Sequence, residues 1–211
     1  MKRFLATLAF FSLITTLTIG QRFNGGLIIG GVASQLDGDL YGGYHKFGYL
    51  AGGLVSLRLT PHSSMQFEME YIQKGSRVNA DTLTNLGTTR LYRFHYLELP
   101  LLYQYTFAKR MSIEAGPAVD VLLGSREESD GIEVTDTRSL RPVTLAGIFG
   151  FSGFITPHLK ANLRFNYSLI SIRSTSSPYP VGYRHILFET GQYNNVLSFS
   201  LFWYFKPNED L

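Results

Sequence analysis

The sequence predicts an all-β fold, an eight-stranded antiparallel up-and-down transmembrane β-barrel. Three observations carry that prediction. Along eight stretches, apolar residues recur at every second position, the period of a strand with one apolar face. The connections between these stretches alternate long, short, long along the chain, the asymmetry of a membrane barrel with tight turns at one end and loops at the other. Charged residues make up only 17% of the 211-residue chain, where a soluble domain carries roughly 25%.

The stretch LYRFHYLELPLLYQYTF (91–107) shows the pattern most usefully. Leu97, Leu99, Leu101, Tyr103, Tyr105 and Phe107 share one face; Glu98, Pro100, Leu102, Gln104 and Thr106 share the other. One face suits lipid and the other a mixed, partly polar lumen.

Taken in order, residues 22–36 form a Gly-rich first strand, with Phe23, Leu27 and Ile29 on one face and Asn24 and Ile28 on the other. Glycines within strands mark the bends and close approaches that barrel closure needs. A loop (37–46) leads to the second strand, 47–60, with Tyr49, Val55 and Leu57 outward. The turn Pro61-His62-Ser63-Ser64 returns the chain at once into the third strand, 65–75, with Phe67, Met69 and Tyr71 outward. A polar loop (76–90) precedes the strand of 91–107, and a short turn (108–110) precedes the fifth strand, 111–123. After a long charged loop (124–141) comes the sixth strand, 142–155, then the turn Thr156-Pro157-His158 and the seventh, 159–172. A last loop (173–192) leads to the eighth strand, 193–205, with Leu197, Phe199, Leu201, Trp203 and Phe205 outward. No helical period appears after residue 21. Tyr49, Tyr103, Tyr105, Phe107, Trp203 and Phe205 are expected in the interfacial aromatic girdles.

The same parity places nine charges inward: Arg58, Glu68, Glu70, Lys74, Glu98, Glu114, Asp120, Lys160 and Arg164. An eight-stranded barrel is just wide enough for side chains to fill it, and buried charges must pair. Arg164, Lys160 and Arg58 are therefore expected to neutralise some of Glu68, Glu70, Glu98, Glu114 and Asp120. A hydrolytic carboxylate pair drawn from Glu68, Glu70, Glu98 and Glu114 is the catalytic alternative; the cations on the same inward faces favour structural charges. His45, His62, His95, His158 and His185 are scattered without metal-ligand spacing, and Ser112 and Ser168 lack the His-and-acid setting of a nucleophile. No cofactor and no catalysis are expected.

Lys2 and Arg3, the apolar run 4–19 and the small-residue site before Gln21 read as a secretory signal. Residues 1–20 are assigned to it and residues 21–211 to the barrel domain. There is no cysteine, so disulfides and thiolate metal sites are excluded. The net charge is only +3, with lysines and arginines dispersed, so no nucleic-acid partner is expected. With the first loop long and the next turn short, both termini are expected in the periplasm.

Four segments, MQFEMEYIQKG (65–75), YLELPLLYQY (96–105), SIEAGPAVDVLL (112–123) and GQYNNVLSFSLFWYF (191–205), resemble the PorT-type outer-membrane β-barrel proteins of Bacteroidetes. The resemblance runs in order over nearly the whole mature chain. It implies residence in the cell outer membrane, among its lipids. The family's namesake is linked to type IX secretion and gliding motility, which would make envelope or secretion proteins partners. The last strand, with Trp203 and Phe205, resembles the assembly signal read by the barrel-assembly machinery. The function expected is a non-catalytic structural or interaction role through the loops, with Tyr41, Tyr44, Tyr92 and Tyr183 as candidate contacts. A narrow channel or small-ligand-binding barrel is the alternative; an embedded enzyme and a soluble lipocalin-type barrel are further ones.

Overall fold

The alternation is realised as eight long strands: β1 (Arg22–Asp37), β2 (Lys46–Arg58), β3 (Ser63–Val78), β4 (Arg90–Thr106), β5 (Met111–Ser129), β6 (Val143–Phe154), β7 (Leu159–Ser168) and β8 (Glu189–Tyr204). This computed structural model describes residues 22–39, 42–80, 87–134, 139–174, 184–186 and 189–208; the expected signal segment, Tyr41 and Tyr183 lie outside them. Each strand pairs antiparallel with its neighbour in sequence, and β8 returns to β1 in a register running from Gly26↔Tyr204 to Asp37↔Tyr193. The sheet closes into a ring with no free edge, as a spanning sheet must. Ile132–Glu133, Arg173–Ser174 and Arg184–Ile186 add short pairings where the long connections lie. We call that the loop end and the opposite one the turn end.

The strands have 10 to 19 residues, enough for spans that need ~9–11. Ile29 is 66% exposed and its neighbour Ile28 only 3%, because successive side chains point to opposite faces. Phe149, Leu163, Phe199 and Trp203 continue the outward apolar belt. All six aromatics expected in the girdles are exposed on the outer wall.

Strand ends depart from expectation at the loop end. The segments 76–78, 90 and 124–129 were expected as loop, yet β3 runs to Val78 and β4 and β5 pair out to Arg90↔Ser129, with a bulge at His95/Tyr96. Beyond the apolar belt both faces meet polar surroundings, so the hydrophobic alternation stops while backbone pairing continues. Conversely, β7 ends at Ser168 rather than 172, and β8 begins at Glu189 rather than 193. Two prolines interrupt ladders: pairing skips from Phe67↔Leu101 to Glu70↔Glu98 beside Pro100, and from Pro100↔Ala118 to Tyr103↔Ala115 beside Pro117. Neither proline has an N–H to donate.

Candidate functional site

The lumen holds eight of the nine predicted charges, in two clusters. In the turn-side cluster, Arg164 of β7 spans the barrel. Its Nη1 and Nη2 donate to Glu68 Oε2 and Oε1 of β3, each at 2.6 Å, and its Nε donates to Glu114 Oε1 of β5 at 2.5 Å. This two-pronged geometry is the strong form of an ion pair. Amides complete it: Asn162 donates to Glu114 Oε1 and Gln104 to Glu114 Oε2, both at 2.8 Å, and Gln66 donates to Glu68. Tyr204 Oη donates to Gln66 Oε1 at 2.9 Å. The Arg164 guanidinium also lies 5.0 Å from the Phe202 ring centre. Gly150 makes this reach possible. It sits between Glu114 and Arg164 in the register, and a Cβ there would lie 2.8 Å from Glu114 Oε1.

Lys160 is buried beside this cluster. Its Nζ donates to Gln104 Oε1 at 3.3 Å and lies 5.4 Å from the Phe154 ring centre. Arg58 does not join. Contrary to expectation, it lies at the turn end, where its guanidinium donates to the Thr60 and Pro61 carbonyls at 3.3 Å. Parity aims the last residue of β2 inward, but there the strand yields to the turn, whose carbonyls are the nearer partners.

The loop-side cluster is built differently. Glu70, Glu98 and Asp120 stand in one row on β3, β4 and β5, as the register pairs Glu70↔Glu98 and Glu98↔Asp120 show. Lys74, placed inward by parity but not singled out as their partner, bridges Glu98 and Asp120, the latter at 2.8 Å. Asn166 Nδ2 donates to both Glu98 oxygens at 2.9 and 2.7 Å. Glu70 makes no ion pair among the described residues, and its Oε2 and Asp120 Oδ1 have no hydrogen-bond partner.

Other parts of the wall are apolar: Ile28, Val32, Leu50, Leu54, Val196 and Phe202 pack together inside. Near the loop end, Arg173 pairs with Glu127, both buried. Both residues fell in expected loops, so no face could be assigned to them. Tyr44, on the connection before β2, donates to Asn195 Oδ1 at 2.6 Å; burial, and then the Asp37 carboxylate, raise its phenol above the ordinary range.

At the turn end a cup of about 830 Å³ opens, lined by Arg58, Lys109 and Lys206 at its mouth and by Gln104, Lys160 and Tyr204 where it meets the turn-side cluster. Trp203 and Phe205 lie outside this end. The Trp203 ring stacks on His158 at 5.4 Å, and the Phe205 backbone N–H donates to the Gly25 carbonyl at 2.9 Å. No group of metal-ligating side chains occurs among the described residues.

No curated protein sequence matches the chain. Among solved structures, the fold is similar to Neisserial surface protein A (NspA), at 11% identity and a TM-score of 0.54, covering 85% of this chain and 96% of that one. It is also similar to Ail, the attachment invasion locus protein of Yersinia pestis, at 10% identity and a TM-score of 0.50, covering 86% and 98%. These are likenesses of fold. The family described as outer membrane protein beta-barrel domain matches residues 16–174, most of the chain, and this protein belongs to that family.

Proposed function

We propose that the protein is a sealed, non-catalytic outer-membrane barrel with a structural or interaction role, exerted through its loop end. The observation that carries this reading is the turn-side cluster. Arg164, Glu68, Glu114, Gln104 and Asn162 meet across the lumen, and the cup lies beside them, lined by Gln104, Lys160 and Tyr204. A pore would need that space to be water. The carboxylates are consumed by cations and amides, which leaves no free acid and base pair on this cluster for hydrolysis. Residues 1–20 act as the export signal in this reading, the turn end and both termini face the periplasm, and Trp203 and Phe205 serve the barrel-assembly machinery. A link to type IX secretion or gliding is supported by the sequence resemblance alone, and secretion and gliding assays of a deletion strain test it.

The orientation is tested with single cysteines in the otherwise cysteine-free chain. Asp130→Cys should react with a membrane-impermeant maleimide on intact cells, and Lys109→Cys only after permeabilisation. The reverse pattern overturns the assignment of the loop end to the outside.

The basic cup favours one second reading, a barrel that takes a small anionic ligand at its turn end. Saturable binding of such a ligand, lost in Lys109→Gln/Lys206→Gln, would support it.

A further inference from the structure

On the outer wall, β2 and β3 part company before they end. Their pairing stops at Leu50↔Ile72, although β2 begins at Lys46 and β3 runs on to Val78. The split leaves a notch of about 230 Å³ lined by His45, Lys46, Gln73, Arg77 and Arg93, with Phe47 and Leu91 at its sides and no carboxylate in its lining. Lys46 is only 3% exposed, and its ammonium donates to two neutral oxygens, Gln73 Oε1 at 3.1 Å and the Phe47 carbonyl at 3.2 Å. An ammonium has three protons to donate, so one remains. Arg77 and Arg93 make no ion pair with any described residue. The carboxylates at and just past the end of β5 are engaged elsewhere: Glu128 and Glu133 both hold Arg126. Gly75 lets β4 approach here: its φ is +140°, and a Cβ there would sit 2.0 Å from the Tyr92 carbonyl oxygen and 3.2 Å from Lys46 Cδ.

Three cations gathered without an acid among the described residues, one of them buried, form an incomplete site that an anion would complete. Two guanidinium forks and an ammonium suit a compact dianion with several oxygens, which is the chemistry of a phosphate monoester. The position on the barrel points the same way. Phe47 is 78% exposed on the outer wall, and the Tyr49 and Tyr71 rings meet nearby at 5.4 Å, tilted by 34°, on the turn-end side. Exposed aromatics of this kind mark the level of lipid headgroups.

We propose that the notch between β2 and β3 is a phosphate-monoester site, filled by the headgroup of a phosphorylated glycolipid. The glycolipid as source rests on the proposed orientation, since the loop end must lie in the outer leaflet; the phosphate chemistry does not.

The test is native mass spectrometry of the detergent-purified full-length barrel with three probes: diphosphorylated lipid A, the same lipid with its phosphates removed, and inorganic phosphate. Diphosphorylated lipid A is expected to bind about ten-fold more tightly than the dephosphorylated form. Arg77→Gln/Arg93→Gln, on the outer wall, should remove about that preference while the barrel keeps its heat-modifiable mobility. Inorganic phosphate as strong as the lipid would support the phosphate site with a dissolved source. Equal binding of both lipids, or an unchanged preference in the double variant, would overturn the site. Because the probe is added to purified protein, a failure of binding is separate from a failure of orientation, which the cysteine labelling reads on cells.

Discussion

The two charged clusters in the lumen lie along the same strands and obey opposite rules. On the turn side, Glu68 and Glu114 face Arg164 and Lys160, and all four carboxylate oxygens accept a hydrogen bond. On the loop side, Glu70, Glu98 and Asp120 face Lys74, and two of their oxygens have no partner. Burying a charge is costly, and attraction repays the cost only when the geometry and the remaining hydrogen bonds are complete. The turn-side carboxylates meet that condition, although beside them Lys160 donates only to Gln104 among the described residues and Asn162 Oδ1 has no partner. The loop-side cluster holds more acid than its cation can satisfy. Inward parity, which selects both clusters equally, therefore says nothing about whether a buried charge stabilises.

The two clusters differ most sharply at Arg164. Arg164→Met strands two buried carboxylates, and the expected loss is roughly 3–5 kcal/mol in reversible urea unfolding from lipid vesicles. Glu68→Gln removes the two-pronged acceptor from Arg164 and should cost about 3 kcal/mol in the same assay. Gly150→Ala leaves every charge in place but presses a methyl group against Glu114 Oε1 and within 3.0 Å of Arg164 Cγ. Overpacking of this kind costs about 1–3 kcal/mol, and a lowered temperature for the heat-induced mobility shift would register it. Glu70→Gln has the smallest effect and the opposite sign. It removes a carboxylate that lacks an ion pair and faces Glu98 in register, so stability should rise by about 1 kcal/mol. The same substitution two positions apart on β3 should thus destabilise in one cluster and stabilise in the other. Equal losses at both positions would dissolve the distinction.

Much of this fold was legible because lipid imposes a simple rule. Wherever β1 to β8 cross the apolar belt, every second residue must be apolar, and the alternation at Phe23, Leu27 and Ile29 or at Leu163 and Phe165 reports it directly. Past the belt that rule lapses, so the continuation of β3 through Arg77 and of β5 through Glu127 carried no signal. The inward face of each lumen charge followed from parity, but reach did not. Arg58 ends at the turn because the strand ends there, and Lys74 reaches across two strands to Asp120. The β2–β3 notch depends on where pairing stops, and no local pattern of residues announces that. The buried pair of Arg173 and Glu127 escaped for the same reason, since both stand where no face could be assigned.

Single-channel recording in planar bilayers tests the plugged lumen most directly. With Arg164, Glu68 and Glu114 bonded across the barrel, the purified protein should give no stable conductance steps at any applied voltage, and Arg164→Met serves as the unplugged comparison once its barrel is shown to form. Stable steps on the nanosiemens scale from the unaltered protein would contradict the account: the clusters would then line an open channel rather than close it.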